Sequence, residues 1–429
     1  MGRIYDFKRD IYYQITDALK KYPTVFLYGQ RRTGKTVCMK QLAETLPDAC
    51  YYDIGSMEQF DALILKNNIQ TSIKNNESRI YLIDNPMYWL QPDGVIAEIE
   101  CAYYDCEDSN TQVVFGGNPP NALRAWGYRS FGRDAKHIFA DFLSYPEWLR
   151  YHGLDEVSEQ TYNRYLFGAK DFYSSFVSPD GFLRGCFEDT QLSNEKSVSI
   201  IYDNECGHLN EMLLKDILYA TLTDAFGAAE AKSNRIVTEH LNAYSSFDFD
   251  TLIRGYIFLQ KWGLVTLTYI SPETHNFETV ADTPVNLGWG SRLGITDRTA
   301  LSERVKIRVR SPFIMCEILK EVFGENIPPA VKYEIVKCHI LGLLPLKDSY
   351  EYRSSADGRE RGVDYVNFAE RKAIGISLTD KNEPCFDDLP DDFERILITK
   401  DQDFTEPNGT KRVPYYRFIY EISKQSDLG

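Results

Sequence analysis

Thr24-Val25-Phe26-Leu27-Tyr28 is a short apolar run bounded by Pro23 and Gly29, the pattern of a strand buried on both faces. Val37 to Leu46 then places its apolar residues at helical spacing and stops before Pro47. Ala49 to Ile54, Arg79 to Ile83 and Thr111 to Phe115 are further short apolar runs; the second ends in Asp84 and the third in Gly116-Gly117-Asn118. Strands alternating with helical stretches through residue 140 predict an α/β domain on a parallel sheet with helices on both faces.

The rhythm then changes. Ser144-Tyr145-Pro146-Glu147 reads as a helix start, with Ser144 as cap, proline in the first turn and glutamate three residues on. Residues 150–230 are mostly helical in pattern, with a polar break over 178–196. A helix over Ile236 to Tyr244, a turn at Ser245-Ser246, a helix over Asp250 to Trp262, Gly263 and the β-rich run Leu264 to Tyr269 give the outline of a winged helix. The turn formers Pro272, Pro284, Gly288, Gly290 and Gly294 mark 271–300 as a loop or hairpin insertion. Strands over Ala373 to Leu378, Arg395 to Thr399 and Tyr415 to Tyr420 alternate with helices in a last α/β unit. The expected division is 1–143, a P-loop domain; 144–230, helical; 231–300, winged helix with hairpin insertion; and 301–429, α/β.

Composition narrows the class. A chain of 429 residues, 43 % apolar and 26 % charged, buries real cores and splits into several domains. No apolar run approaches the roughly 18 residues of a membrane helix, and Met1 to Asp10 is charged where a signal peptide is apolar, so the expectation is a cytoplasmic protein without membrane contact. The nine cysteines include no C-x-x-C pair and read as reduced thiols. Neither Cys206-Gly207-His208 nor Cys101 with Cys106 supplies the four converging groups of a zinc site, so no metal beyond a nucleotide's Mg²⁺ is expected. A net charge of −15 restricts any nucleic-acid contact to a local surface.

The chemistry concentrates after the first strand. Gly29-Gln30-Arg31-Arg32-Thr33-Gly34-Lys35-Thr36 fits the Walker A pattern G-x-x-x-x-G-K-[ST] between a strand and a helix. The glycines let backbone N–H groups and the helix N-terminus face phosphates. Lys35 adds a point charge for the β and γ phosphates of ATP, and the Thr36 hydroxyl a ligand for Mg²⁺. Asp84, at the end of an apolar strand, is the expected Mg²⁺ carboxylate, meeting the ion directly or through one of its ligands. Many ATPases of this type place glutamate next to polarise water; Asn85 stands there, and an amide accepts no proton at neutral pH. Hydrolysis is therefore expected to be slow or absent unless a carboxylate such as Asp53 or Glu98 substitutes. Asn118 is a candidate sensor of the γ-phosphate or the water, or an ordinary turn residue, and Arg133 of Gly132-Arg133 an arginine reaching the phosphates of its own or a neighbouring subunit, or a surface ion pair.

These residues, together with Arg9, Leu82-Ile83-Asp84, Phe115 to Asn118 and Leu143 to Leu149, resemble the prokaryotic AAA-type ATPases that join a P-loop domain to a winged helix and a C-terminal restriction-endonuclease-like domain. The match covers roughly the first 150 residues, and beyond them only the layout is similar. The resemblance implies a helix glutamate, an aspartate and a Glu-x-Lys pair in the last domain. Glu334 and Asp364 fit the first two places, while Gly375 and Ser377 stand where glutamate and lysine belong, which implies a nuclease fold without nuclease chemistry.

Arg304-Val305-Lys306-Ile307-Arg308-Val309-Arg310 alternates cations with branched residues, so in a strand Arg304, Lys306, Arg308 and Arg310 share one face. That stripe is either a contact for DNA or an acidic partner, or a charged edge protected against aggregation. The helix over Asp250 to Trp262 holds Arg254 and Lys261 against Asp250, too little positive charge for tight major-groove binding. Three functional readings stay open: an ATP-dependent switch that presents its C-terminal domains to a protein partner, an active ATPase on DNA in mobile-element or defence biology, and a scaffold that holds nucleotide structurally.

Overall fold

The computed structural model describes residues 6–106, 109–118, 120–168, 211–226, 235–270, 277–279, 297–299, 305–309, 311–324, 326–345, 349–354, 361–379, 384, 386 and 389–426. Cys206, Arg304, Arg310, the polar break and most of 271–300 lie outside the described residues.

In chain order the first unit is α1 (Asp10–Ala18), β1 (Thr24–Gly29), α2 (Lys35–Thr45), β2 (Ala49–Asp53), α3 (Gln59–Lys74), β3 (Ile80–Asp84), α4 (Pro92–Tyr104), β4 (Gln112–Gly117), α5 (Pro120–Ser130) and β5 (Ala135–Ala140). The five strands form one parallel sheet in the order β2-β3-β4-β1-β5. All six residues of β1 are buried, and successive side chains serve opposite faces. Val25 and Leu27 join Ile15, Met39 and Leu42 on one side, and Phe26 joins Ile69, Ile96 and Trp126 on the other. Each such side chain, fully buried, contributes roughly 1.5–3 kcal/mol.

The sequence reading found four of these strands. β5 escaped it because Lys136 and His137 interrupt its apolar pattern. His137 packs as an aromatic, stacked between Phe26 at 5.2 Å and Tyr128 at 3.9 Å. Burial, helped by the Arg124 charge, pushes its imidazole down to about 4, so it is neutral at physiological pH.

Next come α6 (Tyr145–His152) and α7 (Glu159–Phe167), each opened by a serine capping box, then α8 (Glu211–Phe226), α9 (Arg235–Ser246) and α10 (Phe249–Lys261). β6 (Val265–Ile270) pairs antiparallel with β7 (Phe277–Thr279) and β8 (Val305–Val309) in the order β7-β6-β8. In that register Lys306 pairs with Thr268 and Arg308 with Thr266. α11 (Pro312–Phe323) and α12 (Pro329–Leu343) follow.

The last unit holds β9 (Ser349–Ser354), β10 (Arg361–Asn367), β11 (Lys372–Ser377), β12 (Glu394–Thr399), β13 (Phe404–Thr405), β14 (Lys411–Pro414) and α13 (Tyr415–Ser426). Its six-stranded sheet has the order β13-β14-β12-β11-β10-β9. The expected strand over Tyr415 to Tyr420 is the start of α13. Tyr415, Phe418, Ile419 and Ser423 are buried, a spacing of three and four that overrides the strand preference of a tyrosine-rich run. One apolar cluster runs from Phe142 to Ile419, so α6, α7, α10, α11, α12, α13 and the last sheet share a core.

Candidate nucleotide-binding site

Parallel strands all end on the same edge of their sheet, and there β1, β3 and β4 present Gly29, Asp84 and Gly117. The loop after β1 leads directly into α2, whose cap Gly34 has φ +84°, a left-handed conformation that favours glycine. Gly29 answers a different need. A Cβ on it would lie 2.0 Å from the carbonyl oxygen of Ala140, so it is the close passage of β1 past β5 that excludes a side chain.

Lys35 is buried and folds over its own loop. Its Nζ donates to the carbonyl oxygens of Gln30 at 2.6 Å and Gly29 at 3.1 Å, and to Thr33 Oγ1 at 3.4 Å. Those partners are neutral oxygens, which a phosphate would replace with a stronger charged acceptor. Thr36 Oγ1 donates to Asp84 Oδ2 at 2.6 Å, and Tyr51 donates to the same oxygen at 2.9 Å. Burial holds the Asp84 carboxyl above the usual carboxylate range, and nearby Asp53 adds to this, against the Thr36 and Tyr51 hydrogen bonds and the Lys35 charge. A cation beside Asp84 would reverse that balance.

Asn85 follows with φ +56°, anchored by its backbone N–H to Gly116 O at 2.7 Å. Its Nδ2 donates to Asp53 Oδ1 at 3.0 Å, and the Gly55 N–H donates to that oxygen at 3.0 Å as well. Asn118 lies two residues beyond the Asp84↔Gly116 pair, with a buried Oδ1 that has no hydrogen-bond partner among the described residues. Glu98 is elsewhere, on α4, paired with Lys66 of α3.

Arg133 is not brought to this edge. It is exposed in the turn before β5, where Ala135 pairs with Thr24, the end of β1 remote from the loop. Six extended residues separate the two edges, about 17–20 Å. The expectation that it reaches its own chain's phosphates is corrected by this topology.

Two long-range contacts frame the loop that sequence reasoning did not foresee. The buried Gln30 side chain donates through Nε2 to Gly263 O in the turn between α10 and β6. Arg9 Nη1 donates to Thr33 O at 2.5 Å, while Nε and Nη2 grip Glu147 of the α6 capping box. Tyr51 was also missed; its tyrosine-rich strand gave no hint that its hydroxyl meets Asp84.

The residues present fit a magnesium nucleotide. The Thr36 hydroxyl and Asp84 carboxylate are hard oxygen ligands of the kind Mg²⁺ prefers beside phosphates, and the loop and the α2 N-terminus offer backbone donors to an anion.

The last sheet differs. Asp364 of β10 is held by Lys337 of α12 at 2.6 Å and accepts the Ile376 N–H at 2.7 Å, while Glu334 is exposed one turn from Lys337. Burial lowers the Lys337 pKa, but Asp364 outweighs it and the net shift is upward, so the ammonium stays charged beside the carboxylate. A Cβ on Gly375 would lie 2.5 Å from Pro384 Cβ and 3.1 Å from Phe386 Cζ, so the space for a side chain there is filled. Among the described residues no group of three or more His, Cys, Asp or Glu converges on a point.

Sheet, loop and strand-end aspartate together define a P-loop α/β fold. No protein-family model matches the chain, and no curated protein matches it by sequence. Among solved structures, a Walker-type ATPase of Pyrococcus abyssi is 15 % identical with a TM-score of 0.38, covering 65 % of this chain and 94 % of its own. AMPPCP-bound DnaA from Aquifex aeolicus is 14 % identical with a TM-score of 0.29, covering 60 % and 94 %. Cdc6p from Pyrobaculum aerophilum is 12 % identical with a TM-score of 0.26, covering 73 % and 94 %. At these values the likeness supports no statement about this chain's activity.

Proposed function

We propose that the chain is an AAA-type protein that binds ATP and Mg²⁺ at Gly29 to Thr36 with Asp84, hydrolyses it slowly, and uses the bound state to set how its C-terminal modules meet a partner. The carrying observation is the 2.6 Å bond from Thr36 to Asp84 beside a buried lysine whose Nζ donates to the carbonyl oxygens of Gly29 and Gln30 in its own loop. Slow turnover follows from Asn85, whose amide takes the usual place of glutamate. The switch reading draws on the Gln30 bond to Gly263, which ties the loop to the α10–β6 turn of the winged-helix-like segment. A ligand shifts such an equilibrium only by its differential affinity for the two states. Asn118, whose buried Oδ1 has no hydrogen-bond partner among the described residues, is the sensor in this reading.

The last sheet is proposed as an inactive nuclease fold, because Lys337 occupies Asp364 and Pro384 fills the space beside Gly375. Action on DNA through α9, α10 and β8 is the second reading. It rests on the helix, turn, helix and strand order, and is weakened by the 3.0 Å pairing of Arg254 with Asp250 on the same helix.

Titration of the purified chain with a fluorescent ATP analogue tests the first reading. Lys35→Ala should abolish binding; unchanged affinity in that variant would refute the assignment.

A further inference from the structure

The amide of Asn85 cannot take a proton from the attacking water as the usual carboxylate can, which makes a carboxylate elsewhere on the same edge the candidate for orienting it. Asp84 is engaged: its Oδ2 takes both the Thr36 and the Tyr51 hydroxyls, and it is the metal ligand of the reading above. Glu98 points to α3, where Lys66 holds it. Asp53 remains. It ends β2 in direct register with Asp84 on β3, one strand spacing of about 4.8 Å away.

Its surroundings are those of an oriented acceptor. Oδ1 is filled by two donors, Asn85 Nδ2 and the Gly55 N–H, each at 3.0 Å. Oδ2 carries no hydrogen bond to the described residues, and the side chain is only half-buried, so water reaches it. The left-handed backbone of Asn85, φ 56° and ψ 49°, aims its amide at β2; asparagine adopts that conformation more readily than glutamate.

We propose that Asp53 is the carboxylate that orients the attacking water, and that Asn85 is the positioning residue that holds it. The inference rests on the ATP-binding reading above. Water oxygen bonds to the γ-phosphorus as the bond to the β,γ-bridging oxygen breaks. That electron pair leaves with ADP. Asp53 accepts a hydrogen bond from the water throughout, and the water's protons end on the phosphate released.

The test compares the full-length chain with Asp53→Asn, Asn85→Ala and Lys35→Ala in three measurements: Mg–ATP affinity, affinity for ADP with aluminium fluoride, and phosphate release. Asp53→Asn should keep ATP affinity within about twofold, lose the extra affinity that aluminium fluoride gives ADP, and release phosphate roughly 100-fold more slowly. Asn85→Ala should lower kcat with KM unchanged, and Asp53→Glu should recover part of the rate. The inference is overturned if Asp53→Asn turns over and traps ADP–aluminium fluoride like the parent, or if the parent shows neither turnover nor trapping. In both of those cases the ATP-binding reading stands if Lys35→Ala alone loses ATP, and falls with it if Lys35→Ala binds normally.

Discussion

Arg9 and Glu147 are joined by two hydrogen bonds, 3.1 Å from Nε and 2.7 Å from Nη2, between side chains 12 % and 3 % exposed. The same guanidinium holds the carbonyls of Thr33, Asp141 and Phe142, so one side chain ties the phosphate loop to the start of α6. Burial alone would raise the Glu147 carboxyl, but Arg9 and the Ser144 and Asp10 N–H groups outweigh it and hold it below its ordinary 4.5.

A depressed carboxylate stabilises the fold fully above its unfolded value and loses that contribution as pH falls through the folded one. Denaturation of the parent should therefore show falling stability from about pH 4.5 downward. Glu147→Gln, which removes the negative charge facing the buried guanidinium while leaving its carbonyl acceptors, should cost up to roughly 3–5 kcal/mol at pH 7 and flatten that dependence. An identical pH profile in both proteins would remove the clamp from the account.

Gln30→Ala leaves Gly263 O without its donor in a buried turn, at a cost of roughly 1–3 kcal/mol. Hydrogen exchange should accelerate at the amides of 260–266 more than in the sheet of β1 to β5. Uniform acceleration would mean that the bond contributes only to global stability.

Gly29→Ala should lower the melting temperature sharply without nucleotide, because its Cβ meets a backbone oxygen that cannot swing away. Gly34→Ala meets no such obstacle: the nearest atom, Arg9 Cδ, is 3.6 Å away. Its cost is the left-handed backbone, about 1–2 kcal/mol. Thermal melts of the two variants rank the effects, and equal shifts would contradict the crowding at Ala140.

The last sheet should cleave no plasmid DNA with Mg²⁺ or Mn²⁺. Gly375→Glu should not restore cleavage and should lower the melting temperature, since Pro384 and Phe386 occupy the space its side chain needs. Cleavage by the parent would overturn the reading of an inactive domain.

The phosphate loop and Asp84 were legible because each is a local pattern: glycines and a lysine at fixed spacing, and an acid closing an apolar strand. β5 was not, since Lys136 and His137 break its apolar pattern and only the fold shows the His137 ring stacked on Phe26 and Tyr128. The fate of Arg133 depended on it, because a strand beginning at Ala135 places the preceding turn on the far edge of a parallel sheet. The Arg9 clamp and the Gln30 contact were illegible for a similar reason. Arginine and glutamine carry no sign of which distant carbonyl they meet, whereas the periodicity of Tyr415 to Ser423 was there to be read and was outvoted by aromatic content.

Tyr145, near the start of the long apolar cluster, lies 6.2 Å from the ring of Tyr420, and Tyr162 lies 5.3 Å from Tyr415. On the ribosome the sheet of β1 to β5 has all its strands once β5 has emerged, while α6 and α7 must wait for α13 to be synthesised. Nascent chains stalled before α13 should thus carry a finished N-terminal sheet beside an unsealed, greasy middle, the species a chaperone would meet.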